Sequence, residues 1–341
     1  MRLCDPPLAD SYSEVCHKSS MPHGLDMQQE QDQELCYVAQ CELPVVDLRG
    51  LRSLEEEERR ACMEAIAEAS AEWGFFQALN HGISSELLRE MRSEQIKLFD
   101  LPFEKKLLND SYRWGNPTAA APRQFSWSEA FHFPLARISE DFKSGMFGVA
   151  RAVAVAEELA GEMSELASRL AGVLAERLQG HSGQGFPEGC NKTTCFLRLN
   201  HYPACPLSAD VFGLTPHTDS DFLTLLFQDH VGGLQLLKDS KFWVAVKPIP
   251  DALIVNIGDL FQAWSNDVYR SVEHKVMANA KMDRYSIAYF LCPSRESAIG
   301  SCKEPSSVYR KFTFGEFRRQ VEEDVMITGQ KVGLPRFRRL K

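Results

Sequence analysis

The stretch TPHTDSDFLTLLFQD (Thr215–Asp229) contains the residue pair from which the fold and the chemistry of this chain can be worked out. His217 and Asp219 are two residues apart, a spacing that places both side chains on one face of an extended strand. An imidazole nitrogen and a carboxylate oxygen are ligands suited to Fe(II), and one more histidine would complete a facial triad of two histidines and one carboxylate. The stretch therefore predicts part of a metal site on a β-strand.

The third ligand is expected on a distant strand, because antiparallel strands bring together residues that are far apart in sequence. His274 lies in RSVEHKVM (270–277), 55 residues after Asp219. The alternation of this segment places His274 with Val276 on the inward face. We therefore predict that His217, Asp219 and His274 are the metal ligands.

An anion-binding pair follows ten residues after His274. Arg284 and Ser286 open the strand RYSIAYFL (284–291), where the two-residue period points both side chains to one side. A guanidinium beside a hydroxyl can bind a carboxylate through two or more hydrogen bonds. The sequence thus predicts a carboxylate site on the same strand system as the metal site.

The second half of the chain, from about residue 193, has the pattern of short strands separated by tight turns. Breaks of the type Gly-Gly, Asp-Ser and Pro-Asp separate apolar runs, which is the spacing of a sandwich or barrel. The predicted strands are 195–202, 221–229, 234–238, 242–249, 252–258, 270–277 and 284–291.

The first half is predicted to be mainly helical, with short strands at 43–48 and 75–83. Apolar residues recur at helical spacing in 54–72, in a helix starting at Ser84 or Ser85, in 146–178 and again in 314–326. Residues 1–40 are polar without an apolar period, which predicts a flexible tail. The chain is therefore expected to be of the α+β class, with helices packed around a β core.

FSWSEAFHF (125–133) has aromatic residues and one glutamate on the same side of a predicted strand. Trp127, Glu129 and Phe131 share that side, and His132 lies on the other. Such a face can line a ligand pocket. The alternative, a sheet packed on a helix with Glu129 at its edge, explains the pattern equally well.

Composition excludes several classes of protein. Lys plus Arg number 38 and Asp plus Glu 47, a net charge of −9, and there is no long basic stripe for nucleic acid. The ten cysteines include no C-x-x-C pair, and no apolar run is long enough to span a membrane. Without a signal-peptide pattern, we expect reduced thiols and a cytoplasmic, possibly also nuclear, protein.

Together these motifs resemble the plant Fe(II)- and 2-oxoglutarate-dependent dioxygenases. Besides H-x-D, His274 and R-x-S, the segment NHYPAC (200–205) resembles N-x-Y-P-x-C of that family, although Ala204 stands where a second proline is frequent. LPVVDL (43–48) and WGFFQALNHGI (73–83) resemble its N-terminal region. YRWGNP (112–117) and QFSWSEAFHFPL (124–135) resemble the gibberellin 2-oxidases that act on twenty-carbon (C20) gibberellins.

The resemblance implies a double-stranded β-helix, or jelly-roll, core flanked by helices. By position, His217, Asp219 and His274 would bind Fe(II), and Arg284 and Ser286 would hold the distal carboxylate of 2-oxoglutarate. Tyr202 would donate a hydrogen bond to that cosubstrate, and Asn200 would support the site. The implied reaction is 2β-hydroxylation of a gibberellin by O2, which inactivates the hormone, with ascorbate as the reductant. The catalytic core would span 190–295, between a helical N-terminal region (41–189) and a C-terminal helix and tail (296–341).

Three alternatives and one residue assignment stay open at this point. The same metal and cosubstrate residues would serve another gibberellin oxidase or a flavonoid oxygenase, and a non-enzymatic metal-binding scaffold is a third possibility. The carboxylate of a small diterpenoid acid needs a cationic or hydrogen-bonding partner. Arg113, Arg123 and Lys311 are candidates, and the sequence does not select one of them.

Overall fold

A computed structural model describes residues 3–12, 39–116, 119, 124–143, 150–179, 190, 193–207, 211–303 and 306–339. Its core consists of two β-sheets, with helices packed outside them. The strands are β1 (Ala39–Cys41), β2 (Val45–Asp47), β3 (Phe75–Leu79), β4 (Tyr112–Trp114), β5 (Glu129–Pro134), β6 (Phe196–Tyr202), β7 (Phe212–His217), β8 (Leu223–Gln228), β9 (Leu234–Lys238), β10 (Phe242–Val246), β11 (Leu253–Ile257), β12 (His274–Met277), β13 (Arg284–Leu291), β14 (Ala298–Ile299) and β15 (Phe312–Thr313).

The larger sheet has eight strands in the order β2-β3-β11-β8-β13-β6-β5-β4, and the smaller has five in the order β1-β10-β9-β12-β7. β14 and β15 form a separate two-stranded ribbon. Nearly all of the pairs in the two sheets are antiparallel. This arrangement confirms the predicted α+β jelly-roll core with flanking helices.

β7 is an edge strand of the smaller sheet, and its sequence requires that position. Pro216 has no backbone N–H to donate, so a strand containing it can pair fully on one side only. β7 pairs with β12, and the register sets His217 directly opposite His274. The edge position leaves the end of β7 and the following loop exposed to a cavity between the sheets.

The helices cover the outer side of the larger sheet. The longest is buried along one face, where Leu159, Met163, Leu170 and Leu174 are fully inaccessible. Each such side chain contributes about 1.5–3 kcal/mol through burial. The helices are α1 (Glu56–Glu72), α2 (Ser85–Phe99), α3 (Phe103–Lys106), α4 (Ile138–Lys143), α5 (Ala150–Gln179), α6 (Asp259–Trp264) and α7 (Phe314–Thr328).

The predicted division into a helical N-terminal region and a β core needs correction. β2 and β3 extend one edge of the larger sheet, while β4 and β5 form its other edge. These four strands come from residues 45–134, so the N-terminal region completes the core sheet as well as covering it. The reason is that strand pairing is set by distant partners that periodicity does not reveal.

The prediction of a flexible tail is also wrong for residues 3–12. Leu8 and Tyr12 are buried, and the Tyr12 ring stacks on Phe125 with the centroids 3.9 Å apart. The Tyr12 hydroxyl accepts a hydrogen bond from the backbone N–H of Asn116 at 2.6 Å. Residues 13–38 lie outside the described residues. In the part of the chain that the structure covers, no helix is both long and apolar enough to cross a membrane.

Candidate active site

The three predicted metal ligands meet at one end of the smaller sheet. His217 is the last residue of β7 and His274 the first of β12, and their Nε2 atoms lie 3.7 and 3.8 Å from the same Oδ1 of Asp219. Asp219 is in the loop after β7, so a loop rather than strand alternation turns its carboxylate toward the histidines. The expectation that both residues share a strand is therefore corrected, whereas their proximity is as predicted.

Backbone carbonyls fix the tautomer of both imidazoles. Nδ1 of His217 donates to the carbonyl of Thr215 at 2.8 Å, and Nδ1 of His274 donates to that of Val272 at 3.1 Å. Because Nδ1 carries the proton, each Nε2 presents a lone pair to the centre of the site. Burial and the neighbouring His274 lower the pKa of His217 to about 3, which favours the neutral, ligating form.

The carboxylate of Asp219 is held by hydrogen bonds on its other oxygen. Oδ2 accepts from the Thr224 hydroxyl at 2.6 Å and from Nδ2 of Asn256 at 2.8 Å. Burial alone would raise its pKa, but the two histidines and these hydrogen bonds outweigh that effect and lower the pKa to about 2. Asp219 is thus anionic, with Oδ1 directed at the histidines. Two neutral imidazoles and one carboxylate converging on a point are a donor set that fits Fe(II).

The loop that carries Asp219 is fixed by the start of α6 and by a residue beyond α7. The backbone N–H of Asp259 donates to the carbonyl of Asp219 at 2.9 Å. Nζ of Lys331 lies 2.6 Å from Oδ2 of Asp259 and donates to the carbonyl of Thr218 at 2.7 Å. Neither α6 nor Lys331 was predicted to take part, because their role depends on tertiary contacts.

Arg284 and Ser286 point into the same cavity, as the strand period predicts. Nη2 of Arg284 donates to Gln228 at 2.9 Å, but within the described chain its buried Nε and Nη1 have no acceptor. Buried charged donors are costly without a partner, so this guanidinium fits a ligand carboxylate. Because 2-oxoglutarate is a dicarboxylate, one of its carboxylates matches the free donors of Arg284.

Tyr202 and Asn200 lie beside this pair on the adjacent strand β6. Tyr202 is opposite Arg284 in the β-ladder, and Asn200 is opposite Ser286. The guanidinium of Arg284 lies 4.8 Å from the centroid of the Tyr202 ring, and Nδ2 of Asn200 donates to the Ser286 hydroxyl at 3.2 Å. All four predicted cosubstrate residues are therefore grouped on one face of the sheet.

The cavity has a volume of about 340 Å³ and is lined by both sheets and by α7. Apolar side chains make up much of its walls, and a few polar and cationic side chains lie among them. The apolar residues that line it include Phe196, Phe290, Val321 and Val325. Such a cavity, largely apolar with a few convergent polar groups, is typical of a small-molecule site.

The expectation that Trp127, Glu129 and Phe131 form substrate walls is wrong. All three are buried outside the cavity lining, and it is His132, on the opposite face of β5, that borders the cavity. Glu129 is enclosed in an ion pair with Lys106. Alternation along β5 was predicted correctly, but the face turned toward the ligand was not.

The cationic residues that border the cavity differ from those predicted to bind a substrate carboxylate. Arg113 is exposed and donates to the carbonyls of Asp110 and Tyr112, and Lys311 is exposed and outside the cavity lining. Arg123 lies outside the described residues. The cavity is instead bordered by the cationic residues Arg198, Arg284, Arg318 and Lys331. The sequence could have predicted that Arg198 borders the cavity, since Arg198 shares a strand face with Asn200 and Tyr202.

Comparison with known proteins agrees with this geometry. Residues 193–293 match the 2OG-Fe(II) oxygenase superfamily, and residues 43–141 match the N-terminal region described as non-haem dioxygenase in morphine synthesis. The chain is 57% identical to gibberellin 2-beta-dioxygenase 6 of Oryza sativa subsp. japonica, over 98% of this chain and 96% of that protein. It is 50% identical to gibberellin 2-beta-dioxygenase 8 of Arabidopsis thaliana, over 98% of each.

The fold is similar to that of a solved structure of JOX2 in complex with 2OG, Fe and JA. The TM-score is 0.68 at 28% sequence identity, covering 94% of each chain. Fe(II) and 2-oxoglutarate are therefore the cofactor and cosubstrate of this enzyme. The chain belongs to the 2OG-Fe(II) oxygenase superfamily and, within it, to the family of the plant gibberellin 2-beta-dioxygenases.

Proposed function

We propose that this enzyme hydroxylates gibberellins at the 2β position and that its preferred substrates are the C20 gibberellins. The observation that carries the proposal is that one cavity contains both the three metal ligands and Arg284, whose buried Nε and Nη1 have no acceptor among the described residues. The two gibberellin 2-beta-dioxygenases that match nearly the whole chain support the substrate class. The C20 preference rests on the segments 112–117 and 124–135.

In this proposal each polar residue has one role. His217, Asp219 and His274 hold Fe(II), while Arg284 and Ser286 bind the distal carboxylate of 2-oxoglutarate. Tyr202 donates a hydrogen bond to the cosubstrate, and Asn200 holds the Ser286 hydroxyl. The chemistry that bound iron supplies with 2-oxoglutarate and O2 is replacement of a substrate C–H hydrogen by hydroxyl, with succinate and CO2 as co-products. Ascorbate serves as the reductant that keeps the iron ferrous.

The protein supplies orientation and a dry environment. The carbonyls of Thr215 and Val272 fix both imidazoles in the ligating tautomer, and Thr224 with Asn256 directs one Asp219 oxygen inward. Apolar side chains from β6, β13 and α7 exclude water from the bound hydrocarbon skeleton. Because the same ligand geometry can serve many substrates, the shape of this apolar wall selects the hydrocarbon skeleton that the site accepts.

The test is incubation of the protein with Fe(II), 2-oxoglutarate, ascorbate and a panel of C19 and C20 gibberellins, with products identified by mass spectrometry. We expect 2β-hydroxylated C20 products. Turnover of C19 gibberellins alone would overturn the C20 preference. No turnover of any gibberellin would favour another 2-oxoglutarate oxygenase, and a flavonoid panel would then identify its class. His217→Ala and Asp219→Ala should abolish turnover, because each removes a metal ligand.

A further inference from the structure

Arg198 is a charged residue of the cavity that the metal and cosubstrate sites do not use. Along β6, Arg198, Asn200 and Tyr202 all border the cavity, and Arg198 lies two residues, about 7 Å, beyond Asn200. In the β-ladder it is opposite Ala288 of β13 and His132 of β5. Arg198 therefore lies on the side of the cosubstrate site that leads toward the apolar walls.

Arg198 has no directly paired carboxylate among the described residues, although the more distant charge of the metal ligand Asp219 acts on it. In the described ranges, no carboxylate oxygen lies within 4.0 Å of its guanidinium. Its hydrogen-bond partner among the described side chains is neutral: Nε donates to Oδ1 of Asn200 at 2.8 Å. Burial, followed by the charges of Arg198, Arg318 and Arg113, lowers the pKa of His132 to about 4, so the nearest histidine is uncharged. Arginine stays protonated in proteins, so Arg198 keeps a cation at the cavity wall.

The other cations of the cavity are already engaged. Lys331 pairs with Asp259, and Arg318 lies 3.8 Å from Glu322 with its side chain 38% exposed. Arg284 has a place in the cosubstrate site. Among the described cationic residues that border the cavity, Arg198 is left for a second anionic ligand.

The wall beside Arg198 suits a rigid hydrocarbon acid. The rings of Phe196 and Phe290 stack with their centroids 4.3 Å apart, and the Phe196 ring lies 4.0 Å from that of His132. A guanidinium next to an aromatic, apolar surface matches a ligand with a carboxylate on a hydrocarbon skeleton.

We propose that Arg198 binds the carboxylate of the gibberellin substrate and so determines which carbon faces the metal site. This inference rests on the function proposed above and names the residue that recognises the substrate. Asn200 positions Arg198, because its Oδ1 accepts from Arg198 while its Nδ2 donates to Ser286. The side-chain amide of Asn200 therefore connects Arg198, which binds the substrate, to Ser286, which binds the cosubstrate.

The test compares Arg198→Met with wild type in a binding assay that needs no turnover. Titration calorimetry is carried out anaerobically with Mn(II) in place of iron and 2-oxoglutarate present, using a C20 gibberellin and its fully methylated ester. We expect Arg198→Met to weaken binding of the acid about 10- to 100-fold, the loss typical of a charge-assisted hydrogen bond. The ester should bind wild type and variant equally. The dissociation constant of 2-oxoglutarate should be unchanged.

Arg318→Met is the matched control and should weaken binding of the acid less than about threefold, because Arg318 is partly exposed and faces Glu322. In turnover, Arg198→Met should raise KM for the acid and yield hydroxylation at positions other than 2β. Arg198→Lys, which keeps the charge but loses the planar fork, should lie between wild type and Arg198→Met.

Several outcomes would overturn the assignment. One is tight binding of the acid by Arg198→Met, and another is weakened binding of 2-oxoglutarate instead, which would place Arg198 in the cosubstrate site. If Arg198→Met does not fold, the comparison of acid and ester is made with wild type alone. Equal affinity of wild type for the acid and the ester would exclude a protein group that binds the substrate carboxylate. Failure of the proposed function looks different: wild type would then bind 2-oxoglutarate and Mn(II) but neither bind nor turn over gibberellins.

Discussion

Nζ of Lys106 lies 2.5 Å from Oε2 of Glu129, and neither side chain has any exposed surface. The same carboxylate accepts from the Tyr112 hydroxyl at 2.5 Å, and Nδ1 of His201 lies 2.7 Å from its other oxygen. These residues come from α3, β4, β5 and β6. The cluster ties the N-terminal region to the strand that carries Asn200 and Tyr202.

Glu129→Gln should destabilise the protein by about 3–5 kcal/mol, because it leaves the Lys106 ammonium buried without its counter-charge. Urea unfolding at neutral pH measures the free energy of unfolding. The double variant Lys106→Met/Glu129→Leu is the control and should be more stable than Glu129→Gln, since it removes both charges. A loss below about 1 kcal/mol in Glu129→Gln would show that the pair does not hold the two regions together.

His201 gives the stability a defined pH dependence. Burial lowers its pKa, but hydrogen bonds and charge interactions with Asp283 and Glu129 outweigh burial and raise the pKa above its ordinary value of 6.5. The charged groups facing the ring are Glu129, with Lys106 behind it, and Asp283, whose Oδ2 is 3.3 Å from Nε2. The ring also stacks on Tyr285.

Because the folded-state pKa is raised, the stabilisation is fully present below pH 6.5 and is lost as pH rises through the folded-state value. We expect the Tm of wild type to fall, as pH rises above 6.5, more than that of His201→Gln, in which this titration is absent. Differential scanning calorimetry at several pH values makes the comparison. Parallel curves for the two proteins would contradict a charged His201.

Much of the core was accessible from sequence because its strands alternate clearly. The predicted strands Leu234–Lys238 and Arg284–Leu291 coincide with β9 and β13 residue for residue. His217, Asp219, His274, Arg284 and Ser286 were found from residue chemistry and spacing, and the structure brings them together.

The features that the sequence did not predict depend on which distant segment packs against a given surface. Alternation separates Glu129 from His132, but both faces of β5 are covered, so periodicity could not tell which face borders the cavity. The packing of Tyr12 against Phe125 joins residues 113 positions apart in a polar-looking segment. Asp259 and Lys331 act through a contact between the start of α6 and the segment after α7, which no local pattern encodes.

Thr224→Val should weaken Mn(II) or Fe(II) binding about 10- to 100-fold, because it removes the hydroxyl that orients the Asp219 carboxylate. The substitution nearly preserves volume, so the fold should persist. Thr328→Val, on α7 and outside the cavity lining, is the matched control and should bind metal normally. Metal affinity is measured by titration with Mn(II) under anaerobic conditions. Unaltered affinity in Thr224→Val would mean that Asn256 alone holds Asp219.

Arg284→Gln should raise the dissociation constant of 2-oxoglutarate about 10- to 100-fold, and Ser286→Ala about 2- to 10-fold, in line with a charged and a neutral hydrogen bond. Binding is measured in the presence of Mn(II) without oxygen. Affinity for the metal alone should stay the same in both variants, since neither residue is a ligand. An unchanged requirement for 2-oxoglutarate in Arg284→Gln would exclude Arg284 from the cosubstrate site.

The central claim is that this site inserts one atom of O2 at the 2β carbon of a gibberellin while consuming 2-oxoglutarate. Its most direct test is a single reaction under ¹⁸O2 with a C20 gibberellin that carries deuterium at the 2β position. The account predicts a 2β-hydroxylated product that has lost the deuterium and gained one ¹⁸O, together with an equal amount of succinate. Retention of the 2β deuterium in the product, or a hydroxyl oxygen derived from water, would contradict it.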